Sequence, residues 1–294
     1  MRNPDSAGGR WHGCCLAFGG TITWCGKEQG SLQLMRLAAL IALLAGLASL
    51  SGVAPAQVAM PDTADAAPPG KVTEAPKAVV ELFTSQGCSS CPNADAVLGR
   101  LAERDDIIAL SLSIDYWDYL GWKDTLARPK FSERQRAYAN TRGDGAIYTP
   151  QAVVNGLVHV NGADEELIGR TIEKTGKTRA GSLVLVRLSE MKERLVVEAG
   201  PGQAGTQGKE ATLWLAVIAA HVTVPISRGE NQGKTVTYNN VVRDLMPIGM
   251  WNGKPMTVQL ERHSFMQPGA DRCAAFLQEG RAGPIVGAAI LRQC

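Results

Sequence analysis

The chain has 294 residues, 30 basic and 28 acidic side chains and a formal net charge of +2. A near-neutral chain with no basic stripe argues against nucleic acid as a partner class. Hydrophobic residues make up 45% of it, enough to build one elaborated domain or two small ones.

Residues 1–34 are Gly-rich, without period, and hold Cys14, Cys15 and Cys25. They are read as an extension upstream of a true start at Met35. Met35-Arg36 opens an uncharged apolar run, Leu37–Leu50, followed by a small-x-small site at Ala54-Pro55-Ala56. The run is shorter than the roughly 20 residues of a membrane span. Residues 35–56 therefore read as a signal peptide cleaved after Ala56, with an uncleaved anchor as the alternative. No cysteine follows the run closely, which argues against a lipid anchor. The product is expected to be periplasmic or secreted, with no membrane span. The leader takes four of the basic and two of the acidic residues, so residues 57–294 are neutral overall. Four cysteines remain there, Cys88, Cys91, Cys273 and Cys294, an even number that suits disulfides in an exported chain.

Residues 57–77 are rich in Pro and Ala and read as a flexible tether. "AVVELF" (78–83) is a buried strand. Ala94, Val97, Leu98 and Leu101 then mark one face of a helix. "IIALSLSI" (107–114) is a second buried strand, and 131–142 a second helix. "QAVVNGLVHV" (151–160) is a hairpin turning at Asn155-Gly156, where positive φ angles are needed. "ADEELIGRTIEKTG" follows as a helix with acids in its first turn and Lys174 near its end. This β-α-β-α-β-β-α order predicts a mixed sheet with helices on both faces over residues 78–180. From residue 181 to 294 the runs are short, β-rich and broken by Gly, Asn and Pro, which predicts a sandwich-like second domain. Within it, folding about Ala282 or Gly283 brings Cys273 and Cys294 nearly opposite each other across a hairpin, a structural disulfide.

Cys88 and Cys91 sit where the first strand ends and a helix begins. Unpaired N–H groups and the helix dipole stabilise a thiolate there, and the thiolate is the attacking species in disulfide exchange. A second cysteine one turn later can resolve the mixed disulfide. Pro92 lies in the first turn, where a missing N–H costs least. Other readings stand beside this one. Zinc would require two further ligands near by, yet Cys273 and Cys294 belong to the other half. Copper would use the pair plus His159. A static disulfide would only fasten the turn.

"VVELFTSQGCSSCPNADAVLGRL", "IDYWDYLGWKD", "RQRAYA" and "YTPQAVVNG" resemble the secreted bacterial family catalogued as domain of unknown function 1223, within the thioredoxin superfamily. The likeness runs from about Val79 to the last cysteine. It implies a thioredoxin-like fold for residues 78–180. It also implies that Cys88 is the exposed attacking cysteine, Cys91 the buried resolving one and Pro150 a cis-proline beside them, with the backbone of Thr149 pairing with substrate. Thioredoxins carry a buried acid on the matching strand, which makes Glu81 the expected general base for Cys91; a polar edge, or pairing with a basic residue such as Lys77, is the alternative. The Ser89-Ser90 spacer departs from the thioredoxin Gly-Pro, so the direction of electron flow does not carry over. The segment 115–124 lies at the same sheet end. Asp115, Trp117, Asp118 and Trp122 there are either a wall of the substrate groove or a loop pinned by its own tryptophans.

The reading that unites these features is a periplasmic or secreted thiol-disulfide oxidoreductase acting on protein or small-molecule thiols and disulfides, with no cofactor and no metal. Its rivals are a non-catalytic envelope protein that uses the scaffold for binding, and a copper or redox chaperone.

Overall fold

β1 (Ala78–Thr84) and β2 (Ile107–Ser113) are buried along their whole lengths and pair in parallel, from Ala78 opposite Ile107 to Thr84 opposite Ser113. The computed structural model describes residues 75–206 and 208–294. The expected extension, the signal peptide and all of the tether before residue 75 lie outside them.

α1 (Cys91–Ala102) connects the two strands, and α2 (Pro129–Arg142) follows β2. β3 (Gln151–Val154) and β4 (Val158–Asn161) form the hairpin, and α3 (Glu165–Arg179) closes this half. The hairpin turns through Asn155 at φ 56° and Gly156 at φ 69°, as the Asn-Gly pair requires. β1 divides its side chains between two faces. Val80 and Leu82 pack with Ala94, Val97 and Leu98 of α1 and Ile168 of α3. Val79 and Phe83 pack on the other face with Phe131 and Tyr138 of α2. Asp164 caps α3, its side chain accepting from Leu167 N.

The second half supplies β5 (Val186–Met191), β6 (Arg194–Ala199), β7 (Ala211–Pro225), β8 (Thr235–Trp251) and β9 (Met256–Glu261). A one-turn helix α4 (Arg262–Phe265) precedes β10 (Arg272–Glu279) and β11 (Ile285–Leu291). The boundary expected at 180/181 does not separate one sheet from another. A single eight-stranded sheet crosses it, in the order β11-β10-β7-β8-β2-β1-β3-β4. The reason is the free edge of β2. An unpaired strand edge presents backbone groups that need partners, and β8 runs parallel beside it at Ser111–Val241, with Asn240 Nδ2 donating to Ala109 O at 3.0 Å.

A second sheet, β5-β6-β9, has three strands. Val186, Leu195 and Val197 cover Leu213, Leu215 and Leu277 on one face of the large sheet. The β-rich half is thus layered as expected, but one layer continues the sheet of the first half. On the opposite face Ala216, Ile218 and Phe276 join Phe131 and Tyr138, so α2 lies across both halves. β10 and β11 form the predicted hairpin, turning between Glu279 and Ile285.

Candidate functional site

Thr84 ends β1, and the next residues turn into α1. Cys88 N donates to Ser85 O at 3.2 Å and Cys91 N to Cys88 O at 3.2 Å. Cys91 is the first residue of α1 and Pro92 the second. The two cysteines are brought to disulfide distance, with Cα atoms 5.4 Å apart. Ser90 Oγ lies 3.4 Å from Cys88 Sγ. The expectation of an exposed Cys88 is corrected: it is 2% exposed and Cys91 0%. Two segments from elsewhere in the chain close over the motif. Trp117 packs on Gly87, where an added Cβ would stand 3.1 Å from the Trp117 Cβ. The turn 226–234 lies on the other side, with Asn231 Nδ2 donating to Cys88 O at 2.8 Å.

The segment 115–124 is held by its own side chains and by the motif. Trp117 Nε1 donates to Thr149 Oγ1 at 2.8 Å, and Trp122 Nε1 to Gln86 Oε1 at 2.8 Å. Asp115 accepts from Ser132 Oγ at 2.5 Å, and Asp118 from Asp124 N at 3.0 Å. Asp124 is buried and gathers three backbone N–H groups, from Gln86, Leu126 and Ala127. Burial still pushes its carboxyl up to about 6, the three N–H groups opposing and the Asp118 charge adding to the rise. Trp117 and Trp122 thus pin the loop and also border the motif. Tyr119 stacks on Trp117 at 6.5 Å between ring centroids and is 78% exposed.

The Thr149–Pro150 peptide bond is cis. Pro150 is buried against the hairpin, its carbonyl accepting from Gly162 N at 3.0 Å. A Cβ on Gly162 would meet Leu82, Ala94 and Pro150 together. This loop is therefore fitted to the end of β1 and the first turns of α1, and Thr149 is tied to it through Trp117.

Glu81 is not beneath the cysteines. It points to the sheet face away from α1, where Arg134 Nε donates to its Oε1 at 2.6 Å and Tyr138 donates to its other oxygen. Arg134 also donates to Gln278 Oε1 at 3.0 Å, on β10. A carboxylate 0% exposed and bonded to a guanidinium serves as a strut between the halves, so the expected general-base role is corrected. One residue of slip in aligning a strand turns every side chain to the other face.

The buried acid on the motif side is Asp95. It follows Cys91 by four residues, the spacing at which helix side chains are neighbours, and is 2% exposed. Thr84 Oγ1 donates to its Oδ1 at 2.8 Å, while Oδ2 has no partner among the described residues. Burial pushes its carboxyl up to about 8; the Thr84 bond opposes this and the Asp124 charge adds to it. The sequence held a signal for it: Cys91, Asp95, Leu98 and Ala102 form one buried stripe of α1. The apolar residues alone define the helix face and pass over the acid within it.

The remaining candidates lie apart. His159 Nδ1 meets Tyr148 Oη at 2.9 Å and its Nε2 meets Asp144 at 3.2 Å, so it is committed away from the cysteines. Among the described residues, no three His, Cys, Asp or Glu side chains gather as a metal site. Cys273 and Cys294 lie at disulfide distance with Cα atoms 5.7 Å apart, and Cys294 N donates to Asp271 O at 2.9 Å. No described helix is long and apolar enough to cross a membrane.

The family described as Protein of unknown function (DUF1223) matches residues 79–278. No curated protein matches the chain. Among solved structures, the X-ray crystal structure of a structural-genomics target from Agrobacterium tumefaciens is 37% identical, covers 74% of this chain and 95% of its own, and superposes with a TM-score of 0.66. HBP35 of Porphyromonas gingivalis is 15% identical over 74% of this chain and 76% of its own, with a TM-score of 0.53, a likeness of fold alone. With its match across both halves of the molecule, the chain belongs to the DUF1223 family.

Proposed function

We propose that this protein is an exported thiol-disulfide oxidoreductase whose working pair is Cys88 and Cys91. The observation that carries the reading is the pair itself: two cysteines at disulfide distance at the start of α1, with the buried Asp95 one turn further on. Residues 78–180 are taken as a thioredoxin-like unit, in support of which stand the element order and the β2-β1-β3-β4 strand order. Residues 181–294 form a β-rich unit added at the β2 edge, its end fastened by a structural disulfide between Cys273 and Cys294. Export follows from the signal peptide at 35–56, with a mature N-terminus at Gln57.

In the reaction, the Cys88 thiolate attacks one sulfur of a substrate disulfide. The substrate S–S bond breaks, its second sulfur leaves as a thiolate, and a Cys88–substrate bond forms. Cys91 then gives up its proton and attacks Cys88 Sγ, releasing the second substrate thiol and leaving the Cys88–Cys91 disulfide. Run backwards, the same steps oxidise a substrate dithiol. A buried carboxylate with a pKa near the working pH suits the proton transfer. Asp95, at about 8 and with Oδ2 free of partners among the described residues, is the residue for it. Thr149, Pro150 and Trp117 form one wall beside the pair, and exposed Tyr119 extends it.

The burial of both sulfurs favours one second reading, a non-catalytic envelope protein in which the disulfide is static. The reduction potential separates the two. Exchange-active pairs lie at about −270 to −120 mV and structural ones below about −300 mV. We expect a value in the upper range, and a covalent adduct with a substrate disulfide when Cys91→Ser is purified from the exported fraction. A potential below about −300 mV with no adduct would retire the oxidoreductase.

A further inference from the structure

The turn between β7 and β8 lies some 140 residues after the motif, yet it touches the motif directly. The two long strands pair out to Pro225–Thr235, and the turn 226–234 reaches the sheet end where α1 begins. Asn231 is 1% exposed, and its Nδ2 donates to Gln86 O at 3.0 Å and Cys88 O at 2.8 Å. Its Oδ1 accepts from Lys234 Nζ at 2.8 Å. Gly229 is pressed so close to the 115–124 segment that a Cβ there would stand 3.3 Å from the Trp122 Cβ. With the turn held in this way, Glu230 extends to the helix start, where Ser89 N donates to its Oε2 at 3.1 Å. Among the described residues, no basic side chain forms an ion pair with Glu230. The first turn of α1 carries no acid of its own.

We propose that Glu230 is a positioning residue for the Cys88–Cys91 couple, anchored by Asn231, and that its charge biases the pair toward the disulfide. The inference rests on the redox reading above. Reduction brings two electrons and two protons to the pair, supplied in the test by a small dithiol that is itself oxidised to its disulfide. The Cys88 thiol can then ionise, to the extent that the helix-start N–H groups and dipole stabilise the thiolate. The Glu230 carboxylate takes one N–H near that position and repels the thiolate. The disulfide has no charge and feels no such repulsion. Three other acids lie on the elements around the motif: Asp95 on α1, bonded through Oδ1 to Thr84, and Asp118 and Asp124 in the neighbouring loop, where Asp124 accepts from Gln86 N; Glu230→Gln leaves all three in place. The turn carries two cations, Lys234, bound to Asn231, and Arg228, which is exposed.

The test compares the native protein with Glu230→Gln, which keeps an acceptor for Ser89 N and loses the charge. Each is equilibrated with a dithiol/disulfide buffer at low salt and at about 1 M salt, where the Debye length falls to about 3 Å. The thiolate of reduced protein is titrated by its ultraviolet absorbance. Glu230→Gln is expected to shift the equilibrium toward the dithiol by roughly two- to fivefold at low salt, the size of a charge acting at a helix end. The Cys88 thiolate should form at lower pH, and both changes should shrink at high salt. In an Asn231→Ala background the Glu230→Gln shift should fall below about twofold, because independent sites add and coupled ones do not. An unchanged equilibrium and titration in folded Glu230→Gln overturns the inference while leaving the oxidoreductase standing. The same shift with and without Asn231 overturns the anchoring role. A native pair that never equilibrates with the dithiol overturns both the inference and the redox reading.

Discussion

Replacing Asp95 by Asn should make the oxidised protein more stable at neutral and mildly alkaline pH, and less capable of exchange. The unfolded chain ionises this carboxyl near pH 3.9, while burial holds it up to about 8 in the folded state. Because the folded pKa is the higher one, its contribution to stability is intact below about pH 4 and is lost as pH rises toward 8. At pH 7 the loss is about 2.303RT times three units, or about 4 kcal/mol. Asn carries no charge at any pH and keeps an acceptor for Thr84. Its amide buries two unpaired N–H donors where the neutral acid buries one unpaired O–H, since Oδ2 has no partner among the described residues, and the extra donor offsets part of the gain. The net gain at pH 7 is therefore about 2–4 kcal/mol. At ~2–4 °C per kcal/mol for a domain of this size, the melting temperature rises by ~5–15 °C. Unfolding of both proteins with disulfides intact, at pH 4.5, 7 and 8.5, measures it. The difference should grow from pH 4.5 to 8.5. A variant less stable at every pH, or a pH-independent difference, would refute the placement of an ionisable acid under the motif. In the exchange assay, release of the mixed disulfide should slow about tenfold or more, while attack by Cys88 stays near normal.

Glu81→Gln should leave both exchange steps unchanged, while Glu81→Ala costs about 3–5 kcal/mol by leaving Arg134 buried and unpaired; urea unfolding beside the exchange assay checks both. Cys273→Ser with Cys294→Ser should lower stability by ~3 kcal/mol without changing the equilibrium of the Cys88–Cys91 pair, read by alkylation and mass spectrometry. Gly162→Ala would place a Cβ 2.5 Å from Leu82 Cδ1 and 3.3 Å from Pro150 Cβ. It should cost about 1–3 kcal/mol as overpacking and slow exchange by moving the Pro150 loop, seen as a lower rate and not a lower fraction folded.

Local patterns in the chain already determined the elements around the motif. The apolar run 78–83, the helix face through Val97 and Leu101, and Asn155-Gly156 each act over a few residues, where period and turn chemistry decide the outcome. The same holds for the hairpin that brings Cys273 to Cys294. What lay beyond the sequence was set by contacts between distant segments. The pairing of β8 with the β2 edge is a single parallel register point between Ser111 and Val241, and no local pattern specifies it. That pairing carries the β7–β8 turn over the motif, buries Cys88 and delivers Glu230 and Asn231 to it. Glu81 and Asp95 show the same division. Both are acids within apolar patterns, and the sequence marks both as unusual. Only packing decides that one meets Arg134 and remains a buried ion pair, while the other meets a single hydroxyl and is left with an oxygen that has no partner among the described residues.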